Sequence, residues 1–144
     1  MKQIVIWLSM IGIVYANTIQ ANVTAITTHG KSGAYSFSVT LQSTETGCAQ
    51  YADWWEVLSE KGELLYRRIL VHSHPDTQPF TRSGGGIAIH TSDTVYVRAH
   101  MNKEGYVGTV MKGSVSKGFK VVTDLPTFSE KVERQNPLPQ GCLF

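Results

Sequence analysis

Residues 35–42 read YSFSVTLQ. Tyr35, Phe37, Val39 and Leu41 alternate with Ser36, Ser38, Thr40 and Gln42. A strict period of two marks a strand with one buried and one wet face, because successive side chains on an extended chain point to opposite sides. On a helix the same residues would scatter around the axis and give no continuous apolar stripe. This stretch sets the reading of its neighbours.

Upstream, residues 22–27 (NVTAIT) are rich in β-branched side chains, and Lys31-Ser32-Gly33 marks the turn between the two runs. Downstream, residues 53–58 (DWWEVL) and 63–71 (ELLYRRILV) flank the turn-forming SEKG, a hairpin pattern centred near Lys61. A helix over residues 49–58 stays open on propensity, but the tryptophan pair and the following turn favour a strand. Ser83-Gly84-Gly85-Gly86 reads as a loop and residues 87–89 as a short strand. Residues 95–100 (VYVRAH) alternate again, residues 101–105 form a loop, and residues 106–115 make a strand pairing back. Seven or so short strands without a convincing helix predict an all-β fold, an immunoglobulin- or fibronectin-III-like antiparallel β-sandwich.

The chain has 144 residues, room for one domain. Residues 1–21 read as a secretory signal peptide: Lys2, an apolar run from Ile4 to Tyr15, and cleavage after Ala16 or Ala21. That run is short of the roughly 20 residues a spanning helix needs. No cysteine follows it to carry a lipid. The expected layout is a sandwich domain at residues 22–118 and a tail at residues 119–144. The tail carries one further β-like run, Phe119 to Val122, and Pro126, Pro137 and Pro139.

The formal net charge is only +2 and the basic residues are dispersed. That argues against nucleic acid, which calls for a basic stripe, and gives no reason to invoke an anionic membrane surface once the leader is gone. The expected location is secreted or periplasmic. Two cysteines, Cys48 and Cys142, suggest one disulfide in an oxidising compartment, tying the tail to the body.

The chemistry-bearing candidates cluster in residues 72–82, HSHPDTQPFTR. If the strand from Glu63 runs on to His74, the imidazoles of His72 and His74 share a face at about 6.5–7 Å. Imidazole suits copper and zinc, and His100, at another strand end, is the candidate third ligand. Asp53 and Asp76 could add a carboxylate; His29 and His90 fall elsewhere. The competing reading is that these histidines are hydrogen-bonded and merely order a loop. Phe80 is expected to dock in the core. Arg82 is expected to hold either an anionic ligand or an internal carboxylate, Asp53 or Glu56. Trp54 and Trp55 must face opposite sides of their sheet. One belongs in the core, and the other either stacks on a sugar or partner or packs beneath the tail. No nucleophile elbow, phosphate loop or dinucleotide fingerprint is present.

The stretches GAYSFSVTLQ, YADWWEV, GELLYRRILVHSHPDTQPFTR, VYVRAH and GYVG together resemble a small uncharacterised family of secreted bacterial β-sandwich proteins with an HxH…QPFTR motif. The resemblance covers residues 33–108. It implies a single envelope or periplasmic domain whose distinctive surface is built from these loops, with Asp53, His72, His74, Gln78, Arg82 and His100 as the polar set. Cys48 departs from the family's expected aromatic, and the tail after Lys117 lies outside the resemblance.

The expectation is therefore a non-enzymatic binding protein with a copper or zinc site at His72, His74 and His100 and a loop-ordering network of Asp53, Gln78 and Arg82. The alternative is a structural or protein-interaction module of the envelope, with another envelope protein as partner.

Overall fold

The computed structural model describes residues 17–144; most of the expected signal peptide lies outside them. Eight strands run in chain order: β1 (Ala21–Lys31), β2 (Ala34–Ser43), β3 (Ala52–Ser59), β4 (Leu64–Ile69), β5 (Phe80–Ile87), β6 (Val95–Met101), β7 (Val110–Ser114) and β8 (Gly118–Val122). A short 3₁₀ turn, Glu130–Arg134, follows. All pairings are antiparallel. One sheet has the order β1-β2-β5 and the other β4-β3-β6-β7-β8.

The alternation in residues 35–42 does what it forecast. Phe37, Val39 and Leu41 are fully buried, while their neighbours face away. They meet Trp55 and Val57 of β3, Val95, Val97 and Met101 of β6, and Phe80 and Ile87 of β5 in one core cluster. The two sheets thus pack face to face as a β-sandwich. Truncating a buried Phe37 or Trp55 in such a core typically costs about 3–5 kcal/mol.

The β3–β4 hairpin has the expected register, with Trp55 opposite Arg68 and Glu56 opposite Arg67. β1 is more than an edge strand. The Ala21 amide donates to the Val107 carbonyl at 2.6 Å and the Val23 amide to Thr109 at 3.1 Å, joining the start of β1 to the second sheet. A bulge between Val23 and Ala25 then turns the strand onto β2.

Two expectations are corrected here. Ser83 to Gly86 is not a loop but the body of β5, paired with β2. Two of its glycines have a packing reason: a Cβ on Gly84 would collide with the Tyr66 hydroxyl, and one on Gly85 with Ser36 Oγ. Nor does the domain stop at residue 118. Residues 118–122 form β8, hydrogen-bonded along β7 from Val122 opposite Val110 to Gly118 opposite Ser114.

The remaining tail is a strap. It crosses the outer face of the five-stranded sheet, where Phe128 and Val132 pack with Leu58, Tyr96 and Val110. It ends beside residues 71–73, with the Leu143 amide donating to Val71 and the Ser73 amide to Phe144. Cys48 and Cys142 are disulfide-bonded, 94 residues apart in sequence.

Candidate functional site

Two groups of polar side chains stand out, and the histidines of the sequence reading are divided between them.

The first is the loop after β4. That strand ends at Ile69, because residues 70–79 leave the sheet to reach β5. His72 and His74 therefore do not sit on a shared strand face. The His72 ring packs against Phe144 at 4.3 Å between centroids, and the His74 ring stacks on Phe80 at 3.9 Å. Phe80 is buried in the core, as expected. Gln78 fastens the loop to β2: its Oε1 accepts the Ser43 amide at 2.9 Å, and its Nε2 donates to Ser43 Oγ and the His74 carbonyl. The Gln78–Pro79 peptide is cis. A buried carboxylate that the sequence reading passed over, Glu45, completes the anchor. It accepts Ser43 Oγ at 2.7 Å, Ser73 Oγ at 3.1 Å, and the backbone amides of Ala52 and His74.

Arg82 does not hold Asp53 or Glu56. Its Nη1 donates to the Thr81 carbonyl at 2.8 Å and its Nη2 lies 2.6 Å from His74 Nε2. A guanidinium only donates, so that imidazole nitrogen is the acceptor. Burial first, and the adjacent Arg82 second, hold His74 below the usual histidine range.

The second group lies on the outer face of the five-stranded sheet, beneath the strap. Glu56 is fully buried. Cross-strand register sets Arg67 of β4 on one side of it and Arg98 of β6 on the other. Arg67 Nε and Nη2 reach Glu56 Oε2 at 2.8 and 2.6 Å, and Arg98 Nε reaches Oε1 at 2.8 Å. Trp54 Nε1 adds a bond to Oε2 at 3.0 Å. Two carboxylate oxygens thus accept four N–H groups, the satisfaction a buried charge needs.

Arg67 also spans to the strap. Its Nη1 donates to the carbonyls of Gln135 at 2.5 Å and Pro137 at 3.0 Å, and its Nη2 to Val132 at 2.7 Å. Beside it, His100 Nδ1 lies 2.6 Å from Asp53 Oδ1 and its Nε2 lies 3.0 Å from Glu133 Oε1 on the 3₁₀ turn. The imidazole is stacked on Trp54 at 3.5 Å and 8°. Burial holds the Asp53 carboxyl above the usual range, with the bond to His100 pulling the other way.

The histidine metal site of the sequence reading does not fit this arrangement. His74 Nε2 faces a guanidinium, and both ring nitrogens of His100 face carboxylates of a different cluster. Among the described residues, no group of three or more histidine, cysteine, aspartate or glutamate side chains is placed to share an ion. Trp54 takes the less conspicuous of its two options and packs beneath the tail, 3% exposed, with the Arg67 guanidinium 4.4 Å from its ring centre.

No protein-family model matches the sequence, and no solved structure matches it. A protein of Halomicrobium mukohataei bearing the name "Putative lipoprotein" is 36% identical over 121 residues, 83% of this chain and 55% of that protein. The chain therefore spans about half the length of this relative.

Proposed function

We propose that the chain is a non-catalytic structural or protein-interaction module associated with the cell envelope. One observation carries the reading. The polar side chains that could have done chemistry are engaged with one another and with the backbone of the strap, above all Arg67 on Glu56 and on three strap carbonyls. A general acid or base needs a proton partner in a reachable cleft; here Glu56 and Arg67 are fully covered. The name of the Halomicrobium relative supports the envelope assignment, as does a disulfide, which persists in oxidising compartments. No helix among the described residues is long and apolar enough to cross a membrane.

The topology favours the immunoglobulin/fibronectin-III-like reading of the sandwich: the second strand pairs with the fifth in one sheet, and the third with the sixth in the other. Of the two leader sites, cleavage after Ala16 is the better candidate. Ala21 is buried at the head of β1, and Gln20 and Thr18 accept hydrogen bonds from Thr44. Cleavage after Ala21 would strip these bonds.

The test is fractionation of expressing cells with N-terminal sequencing and envelope cross-linking. The reading expects an exported chain beginning at Asn17 and a discrete cross-linked envelope protein. Retention of the uncleaved chain in the cytoplasm would overturn it.

A further inference from the structure

A small cleft of about 90 Å³ lies where β4 runs beside the free edge of β5, walled by Arg68, Ile69, Val71, His72, His74 and Arg82. That is far short of the roughly 300–1,000 Å³ of a pocket for a drug-sized molecule, so the cleft suits a small ion. Its charge is one-sided. Two guanidiniums line it and no carboxylate does. Among the described residues, no Asp or Glu lies within ion-pair distance of either arginine. Glu45 sits behind His74, 3.8 Å from its Nδ1, and is fully buried among the amides and hydroxyls it accepts.

The two guanidiniums are fixed to the backbone of one strand. Arg68 Nε donates to the Ser83 carbonyl at 2.9 Å, and Arg82 Nη1 donates to the Thr81 carbonyl at 2.8 Å. Carbonyls two residues apart on a strand point the same way and lie about 6.5–7 Å apart. β5 pairs with β2 on its other side, so both belong to its free edge. A second bond steadies each fork, from Arg68 Nη1 to the Ile69 carbonyl at 3.4 Å and from Arg82 Nη2 to His74 Nε2 at 2.6 Å. The loop network of Glu45 and Gln78 holds the His74 backbone, and Phe80 holds its ring. Each guanidinium still has unspent N–H donors. Arg68 is exposed and Arg82 half-buried, so both can be reached from solvent.

Both groups stay charged at any working pH, and one dianion balances the pair. A tetrahedral oxyanion that accepts from a guanidinium on each side, at about 2.7–2.9 Å, spans the distance between them. We propose that this cleft binds a phosphate group, free or terminal on a monoester, with Arg68 and Arg82 donating to different oxygens. The network around His74 then positions the Arg82 fork. The site depends on neither export nor an envelope partner. So small a ligand in an open cleft is expected to bind with a Kd on the order of millimolar.

The test is an NMR titration of the ¹⁵N-labelled protein at pH 7.5, where a phosphate monoester is close to a dianion. The probes are potassium phosphate and methyl phosphate, beside potassium chloride at equal ionic strength. Phosphate should give saturable shifts at Arg68 Nε, Arg82 Nε and the amides of Val71 and His72, and chloride should not. Tighter binding of methyl phosphate would assign the site to a terminal ester group, and tighter binding of phosphate to the free ion. Arg68→Gln removes one guanidinium and should weaken binding about tenfold, the loss of hydrogen bonds to a charged group. Val71→Glu leaves both arginines in place, sets a carboxylate at a 38% exposed wall position, and should weaken binding at least as much. Shifts that rise without saturating, or equally with chloride, would overturn the site. So would unchanged affinity in either variant when its unfolding midpoint is unchanged.

Discussion

Replacing Arg67 by methionine isolates the contact that joins the strap to the sheet. Methionine keeps much of the apolar stem and removes the guanidinium. Five hydrogen bonds go with it, two to Glu56 and three to the carbonyls of Val132, Gln135 and Pro137. Glu56 would keep Arg98 and Trp54 but lose its closest cation, at 2.6 Å. Breaking a buried pair by removing one partner typically costs about 3–5 kcal/mol, because the other charge stays buried. The three carbonyls add to this unless the strap lifts to reach water, which would in turn uncover Val132 and Phe128. Against a domain stability of about 5–15 kcal/mol, the variant should lose a third or more of the total. At about 3–5 °C per kcal/mol for a chain of this size, the melting point should fall by roughly 10–20 °C. Urea unfolding followed by tryptophan fluorescence measures the change, since Trp54 lies under the strap and Trp55 in the core. A loss below about 1 kcal/mol, the range of an exposed ion pair, would refute the reasoning.

Other outcomes follow from the same geometry. His74 has a folded pKa below the usual 6.5, so the unfolded chain binds more protons in the window just below that value. Its contribution to stability is therefore present above pH 6.5 and is lost as pH falls toward the folded value. Melting curves of His74→Gln between pH 7.5 and 5 should show a flatter slope than the parent protein. Replacing Cys48 and Cys142 by alanine opens a closure of 94 residues and should cost about 4–5 kcal/mol on the chain-entropy account, read as a drop in urea midpoint. Gly84→Ala would drive a methyl into Tyr66 and should cost about 1–3 kcal/mol as overpacking, measured the same way. Calorimetric titration with copper or zinc should show no tight stoichiometric binding that is lost in a His72→Ala/His74→Ala variant. Such binding would revive the histidine site.

The sandwich was legible because its core strands announce themselves by alternation, as in Phe37, Val39 and Leu41. Gly84 to Gly86 hid a strand because glycine is a turn former by local rules; the approach of Tyr66 and Ser36 explains Gly84 and Gly85. The Cys48–Cys142 bridge was legible from the cysteine count and the expected compartment. The shared strand face for His72 and His74 rested on one local assumption, that β4 continues to His74, whereas the strand ends at Ile69. The buried ion cluster could have been found. A hairpin centred near Lys61 already sets Glu56 opposite Arg67, an opposite-charge cross-strand pair. Glu133 and Glu45 could not, since nothing local says where a tail or a post-strand turn will fold back.

The central claim is that residues 128–144 are an integral layer of the domain, held by buried charge. Hydrogen exchange on the purified protein tests it most directly, at the amides of Val132, Gln135 and Leu143, which donate to Ser129, Val132 and Val71. The account predicts slow exchange there, lost together in Arg67→Met. Exchange at the rate of an unstructured chain in the unaltered protein would contradict it.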